Sequence, residues 1–367
     1  MTFSHSRASR SACDSLVLQI SDGSFSGYGE VVLREYVNDL EGVYRDTGDV
    51  AGRMKEILVR ISRNGSELPD IEDLRSGVLS PNWEARDLPL LAAVEGGLLD
   101  LLCQKKGVDV YKLLDREPLR EDLRYGGVMP IMPEVSMKKM LAAYRGIGIR
   151  NLRIKLSGDA SYNRKTLQLV REVLGKDFDI RVDVNCAWTR DDALAFLDLL
   201  SESGISLVEE PLGPGRDEMM ALVQSSAEYS VVYVADESAV TFEDLDGIVK
   251  DGTFGMLNLR LAKNGGLLRV LEMAERADQA GLRYQLGCHV GETGILSMTG
   301  RTAAALMSRP EYVDGSFDEY LLSENITEEN YTFGPGGKAP VIRNNGMGYK
   351  VDRAKLARNS TKKFLLM

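Results

Sequence analysis

The chain has 367 residues, 44% hydrophobic and 27% charged, an ordinary globular balance with length enough for two domains. Its 45 basic and 55 acidic residues give a net charge of −10, which argues against nucleic acid as a partner, because phosphate binding needs a basic footprint. No apolar run approaches the ~20 residues that cross a bilayer, so no membrane partner is expected.

With only His5 and His289 present, a multi-histidine zinc site is excluded. The four cysteines, Cys13, Cys103, Cys186 and Cys288, are scattered without a CxxC pair. Reduced thiols and a cytoplasmic protein are therefore expected.

In chain order, MTFSHSRASRSACDS carries basic residues without an apolar stretch and does not read as a secretory leader. SLVLQISDGSFSGYGEVVLRE holds two alternating apolar runs around Asp22-Gly23, a hairpin signal. Helical patterns follow, notably LPLLAAVEGGLLDLLCQKKG, closed by Gly107. Residues 1–125 read as an α+β domain.

From residue 126 the rhythm changes. GGVMPIM, NLRIKL, IRVDVN, SLVEE, VVYVADE, FGMLNLRL and RYQLGC read as strands, each followed by a helical pattern, and YVDGSF as a last strand. Seven or eight such units with short loops favour an α/β TIM-type barrel over 126–334. The Gly/Pro-rich tail, 335–367, is expected to pack back on the first domain.

Three acids end three of these strands: Asp183, Glu209 and Asp236. They lie 26 and 27 residues apart, near the ~30 residues of one strand-plus-helix unit. Acids repeated at the tips of consecutive parallel strands converge on one point and suit a hard dication such as Mg²⁺, with Mn²⁺ as an alternative. The competing reading is three unrelated acids capping the helices that follow.

In RIKL, Arg153 and Lys155 are two apart and share a strand face. A neighbouring cation and partial burial both favour the neutral amine, which makes Lys155 usable as a base. Other polar residues expected at the same end are Asn185, Arg260, Lys263, His289 and Glu292. Glu210 and Glu237 alternate to the other strand face and read as supports for the ligands.

The ordered set Arg153-x-Lys155, Asp183-x-Asn185, Glu209-Glu210-Pro211, Asp236-Glu237-Ser238 and Lys263-Asn264-Gly265-Gly266 resembles the enolase superfamily. Within it, the muconate-lactonizing enzymes, dipeptide epimerases and o-succinylbenzoate synthases are most similar. The resemblance implies a (β/α)7β barrel with an α+β capping domain built from the N-terminal part and the C-terminal tail. It also implies a Mg²⁺ held by Asp183, Glu209 and Asp236 and a small carboxylate substrate. A lysine at position 155 would remove the proton on the carbon next to that carboxylate, giving a metal-stabilised enediolate. Arg153, Asn185, Lys263 and Glu292 become candidate substrate contacts, and a homo-oligomer is implied.

Two departures bear on the reaction. The usual first lysine of Lys-x-Lys is Arg153, and the second-face lysine, 24 residues beyond Asp236, is Arg260. Arginine stays protonated and is a poor base. Arg260 could instead stabilise a developing anion. His289 lies near the histidine of another racemase arrangement, but Arg260 replaces the aspartate that would pair with it. The Asp-x-Asp of dipeptide epimerases is Asp314-Gly315-Ser316 here.

The readings left open are isomerisation, cycloisomerisation or epimerisation of a small carboxylate; a one-base dehydration like that of o-succinylbenzoate synthase; and a non-catalytic metal- or carboxylate-binding barrel. A Schiff-base aldolase using Lys155 or Lys263 leaves the acids unexplained. Specificity is expected from the hairpin around Ser24 to Tyr28 and from the loops after strands six to eight.

Overall fold

The computed structural model describes residues 3–6, 8–10, 13–34, 37–38, 40, 47–62 and 68–365. Seven short strands pair in parallel and in chain order: Gly127–Met129, Asn151–Lys155, Asp179–Asp183, Leu207–Glu209, Val232–Ala235, Met256–Leu259 and Arg283–Leu286. The extended stretch around Val313 joins the two edges. Asp314 N donates to Leu286 O at 2.8 Å, and Gly126 N donates to Val313 O at 2.9 Å. The expected (β/α)7β barrel is therefore present, with its last strand reduced to this bridge.

The strands are short aliphatic runs because both faces are covered. Ile154, Val182, Val208 and Leu257 are at most 1% exposed. The return helices start on side-chain caps. Asp159 accepts from Ser161 N and Tyr162 N, while Thr189 with Asp192 and Thr241 with Asp244 form capping boxes. The expected helix DDALAFLDLLSESG is divided into Arg190–Ala195 and Leu197–Glu202.

In the N-terminal part, Ser15–Ser21 and Ser26–Val32 form the expected antiparallel hairpin. Asp22 Oδ1 accepts from Ser24 N and Phe25 N, which closes its turn. The hairpin lies directly on the helix Leu88–Lys106, whose C-terminus is Gly107 in the left-handed conformation. Gly27 and Gly29 allow that approach: a Cβ on either would collide with backbone atoms of this helix.

The C-terminal tail meets the same region. Tyr349 Oη donates to Tyr28 O at 2.5 Å, Arg353 Nε donates to Tyr28 Oη at 3.0 Å, and Lys338–Pro340 pairs with Asp122–Arg124.

One expectation is corrected. The turn near Ser24 does not cover the strand tips; Asp22 pairs with Lys105 at the far end of the long helix. A different hairpin, Phe3–His5 with Ala8–Arg10, takes that place. Ile131 N donates to Ser4 O at 2.8 Å, and Ser6 Oγ donates to Leu156 O at 2.8 Å. These contacts lay it over the ends of the first two barrel strands. No helix among the described residues is long and apolar enough to cross a membrane.

Candidate active site at the strand tips

Lys155, Asp183 and Glu209 are the last residues of the second, third and fourth barrel strands, and they stand level in register. Asp236 follows the fifth strand and Arg260 the sixth by one residue. Exposure of the three acids is 0%, 2% and 1%. Three buried carboxylates at one barrel end need positive charge beside them.

That charge comes from side chains of the same tips. Arg153 Nη1 donates to Glu209 Oε1 at 2.8 Å and Oε2 at 3.1 Å, and lies 3.7 Å from Asp183 Oδ2. Lys155 Nζ donates to Asp183 Oδ2 and, at 2.9 Å, to Asn185 Oδ1. Arg260 Nη2 donates to Asp236 Oδ2 and reaches Glu209 Oε1 at 3.5 Å. Two guanidinium groups thus bridge all three acids.

The two central acids are pushed apart. Burial raises the pKa of both. In Glu209 the guanidiniums of Arg153 and Arg260 outweigh burial and hold it below its ordinary range. In Asp183, burial and the adjacent Glu209 charge outweigh Lys155 and Arg153, so it lies well above its usual value.

The other expected site residues fall into two groups. Arg153, Lys155, Asn185, Arg260 and His289 line one cavity at the barrel mouth. Lys263 and Glu292 have different tasks. Lys263 is fully buried, and its ammonium donates to Asp236 O at 2.7 Å, Asn258 O at 2.6 Å and Asp236 Oδ1 at 3.1 Å. Its three protons are used within the protein. Glu292 Oε1 accepts from His289 N at 2.6 Å, closing the loop after the seventh strand, and Glu292 borders a separate, smaller cavity.

Glu210 Oε1 accepts from Asp236 N and Ser238 N, both at 2.7 Å, so it fixes the backbone that carries Asp236. Glu237 Oε1 accepts from Asn185 Nδ2 at 3.2 Å. Asn185, Cys186 and Glu210 all have positive φ, of 49°, 61° and 37°. Such backbone strain in non-glycine residues gathers at functional sites. Among the described residues, the group of possible ligand atoms lying mutually within 4.8 Å is Cys186, Glu210 and Glu237, one layer outside the three acids.

Several contributors were not singled out from the sequence. Asn258 Nδ2 and Gln285 Nε2 donate to the two Glu209 oxygens at 2.7 and 2.9 Å. Arg181 donates to Gln285 Oε1 and, at 3.0 Å, to Asp314 Oδ1. Strand alternation held a signal for two of them: Arg181 is two residues before Asp183, and Asn258 two before Arg260. Arg34 and His5, from outside the barrel, also line the main cavity.

The model of enolase C-terminal domain-like proteins matches residues 136–355. The chain belongs to this family.

Relatives of this enolase-superfamily chain include the hydrophobic dipeptide epimerase of Enterococcus faecalis, 30% identical over 58% of this chain and 58% of that protein. Muconate cycloisomerase 1 of Pseudomonas putida is 27% identical over 73% of this chain and 70% of that protein. The expectation of an isomerase of this superfamily agrees with those names.

Two solved structures share the fold. N-succinyl Arg/Lys racemase from Bacillus cereus gives a TM-score of 0.84 at 20% identity, covering 98% of this chain and 94% of that one. The Enterococcus faecalis dipeptide epimerase, complexed with Mg and L-Leu-L-Tyr, gives 0.79 at 21% identity, covering 95% of each chain.

Proposed function

We propose that the chain is a Mg²⁺-dependent isomerase that removes the proton next to the carboxylate of a small acid, with Lys155 as the base. Mn²⁺ is an acceptable substitute ion. The observation that carries this reading is the placement of Lys155. Its Nζ is held by Asp183 and by Asn185 Oδ1, on the wall of a cavity at the barrel mouth beside three buried acids.

The donor set fits a hard dication. Asp183, Glu209 and Asp236 offer carboxylate oxygens from adjacent strand tips, and all three lie within reach of two bridging guanidiniums. Those three residues would hold the ion, which when bound supplies Lewis-acid stabilisation of negative charge on a carboxylate.

The chain's own groups do the rest. Asn185 fixes the direction of the Lys155 amine. Arg153 and Arg260 place fixed positive charge around the reacting carboxylate. Val128, Val290, Phe317 and Leu321 add apolar surface to the wall. The relatives' epimerase and cycloisomerase names support isomerisation.

A second reading, one-base dehydration, is favoured by Arg260. It stands where a second lysine would, and the Asp236 carboxylate beside it raises an already high pKa despite burial. A guanidinium that keeps its proton leaves only one face of the substrate with a base.

The test is exchange of the α-proton of small carboxylates in D₂O with Mg²⁺, followed by NMR. Lys155→Ala should lower the exchange rate by about 10²–10⁴-fold. Absence of exchange from every acid in a broad panel would leave the non-catalytic binding barrel. Calorimetric Mg²⁺ binding should be lost in Asp183→Asn, and undiminished binding would refute the assigned ligands. The proposal includes a cytoplasmic homo-oligomer; no disulfide joins Cys13, Cys103, Cys186 or Cys288.

A further inference from the structure

The cavity beside Lys155 has a one-sided chemistry. Arg34, Arg153, Lys155 and Arg260 line it together with the apolar Phe317 and Leu321, and no Asp or Glu of the described residues does. A substrate ammonium entering here would meet these cations and, besides the apolar groups, only the neutral polar side chains of Asn185 and Cys288 and two histidines, with no carboxylate on the wall.

One acid at these tips is in sequence a candidate ammonium receptor: Asp314, on the closing strand. The fold holds it by one hydrogen bond on Oδ1 and by an ion pair, without hydrogen-bond geometry, on Oδ2. Arg181 Nη2 donates to Oδ1 at 3.0 Å, and Arg153 Nε lies 3.2 Å from Oδ2. Asp314 is 3% exposed. Diverting it to a ligand would take the carboxylate charge away from two buried guanidiniums, Arg153 and Arg181.

Arg34 is built differently from the other cations. It comes from the segment after the Ser26–Val32 strand, outside the barrel. Its guanidinium is anchored by Leu33 O at 2.8 Å and by Val290 O in the loop after the seventh strand. Its side chain is 2% exposed, yet Asp14, its carboxylate partner at 3.0 Å, is 43% exposed. A pair with one wet partner contributes little stability, so a ligand carboxylate can take Asp14's place at small cost. A guanidinium held in place by carbonyls is a pre-organised receptor for a carboxylate.

We propose that the substrate carries a second negative group besides the reacting carboxylate and no free ammonium near the reacting carbon, and that Arg34 reads this second group. The inference rests on the carboxylate reading above. It narrows that reading to dicarboxylates, among them amino acids whose nitrogen is acylated and which carry a second carboxylate.

Binding to the full chain with Mg²⁺, measured by calorimetry, tests it with three five-carbon probes: glutarate, valerate and norvaline. Glutarate should bind at least tenfold more tightly than valerate, and norvaline most weakly. Arg34→Gln should abolish the glutarate-over-valerate ratio, and Arg34→Lys should cut it by about threefold, because the charge stays and the fork is lost.

Equal affinities, or norvaline as the tightest ligand, would overturn the proposal without any variant. A ratio that survives in Arg34→Gln would overturn the role of Arg34; if that variant does not fold, an unchanged ratio in Arg34→Lys would do the same. Measuring α-proton exchange on the same probes separates the two readings. A glutarate preference without exchange sinks the enzyme reading alone. Lys155-dependent exchange without that preference sinks this inference alone.

Discussion

Arg153 and Glu209 form a two-pronged contact in the barrel interior: one guanidinium nitrogen meets both carboxylate oxygens, at 2.8 and 3.1 Å. Both side chains are 3% exposed. The same arginine reaches Asp183 and Asp314, so it ties acids of three strands together. Removing one member of a buried charge network leaves the others uncompensated. Arg153→Met should therefore destabilise the metal-free protein by about 3–5 kcal/mol. Urea unfolding followed by circular dichroism measures this, and a loss under about 1 kcal/mol would contradict the assigned role.

Arg260 stands where a second base would be needed for chemistry on both faces of the substrate. Its position is set by Asp236, to which it donates, and by Glu209 at 3.5 Å. Arg260→Lys keeps the charge and allows a neutral amine. With a carboxylate that undergoes exchange, the wild type should exchange at one face and retain configuration. The variant should lose configuration as it exchanges. Chiral chromatography of the recovered acid distinguishes the outcomes, and equal loss of configuration in both proteins would show that a second proton donor already exists.

The barrel was legible because its strands are aliphatic runs ended by acids at a steady interval. Ile180 to Asp183 and Leu207 to Glu209 are buried strand residues at the positions the pattern implies. Arg153 and Lys155 share the inner face, as their spacing requires.

What could not be read depends on how the barrel closes. Gln285 and Asn258 meet Glu209 from other strands, and no local pattern states which tips face one another. Phe3–His5 and Ala8–Arg10 have no apolar alternation, so only their pairing with each other and their contacts to Ile131 and Leu156 make them strands. Arg34 reaches the cavity because the N-terminal part packs against the barrel mouth, which sequence spacing does not encode. Lys263 looked like a substrate contact because it is basic and near the acids. Burial turned it into a fastener between Asp236 and Asn258.

The approach of the Ser15–Val32 hairpin to the Leu88–Lys106 helix can be tested at one atom. A Cβ at Gly29 would collide with Ala93 O and lie 2.7 Å from Gly97 N. Both obstacles are helix backbone, so neither can rotate away. Gly29→Ala should destabilise by about 3 kcal/mol or more. Gly52→Ala is the contrast: it lies in the helix Thr47–Ile61 with nothing within 4 Å of its Cβ, and should stabilise by up to about 1 kcal/mol. Urea midpoints compare the two, and similar small effects would refute the close packing.

Glu30 fastens the hairpin to the barrel, and its charge state should appear in the pH dependence of stability. Its carboxyl is 1% exposed and accepts from Thr293 N, Thr293 Oγ1 and Leu296 N, at the start of the helix after the seventh strand. Burial pushes its pKa up to about 7, against these hydrogen bonds. The folded state therefore binds the proton more tightly than the unfolded chain, where an ordinary glutamate titrates near 4.5. The stabilisation is full below that lower value and is lost as pH rises through about 7. It amounts to about 3 kcal/mol at most. Glu95 and Asp100, raised by burial to about 8 and about 6, slope the same way, so the wild-type profile alone does not isolate Glu30. The difference does: between pH 5 and pH 8 the thermal midpoint should fall further in the wild type than in Glu30→Gln, whose amide has no proton to lose. Parallel profiles for the two proteins would mean that Glu30 is ionised throughout.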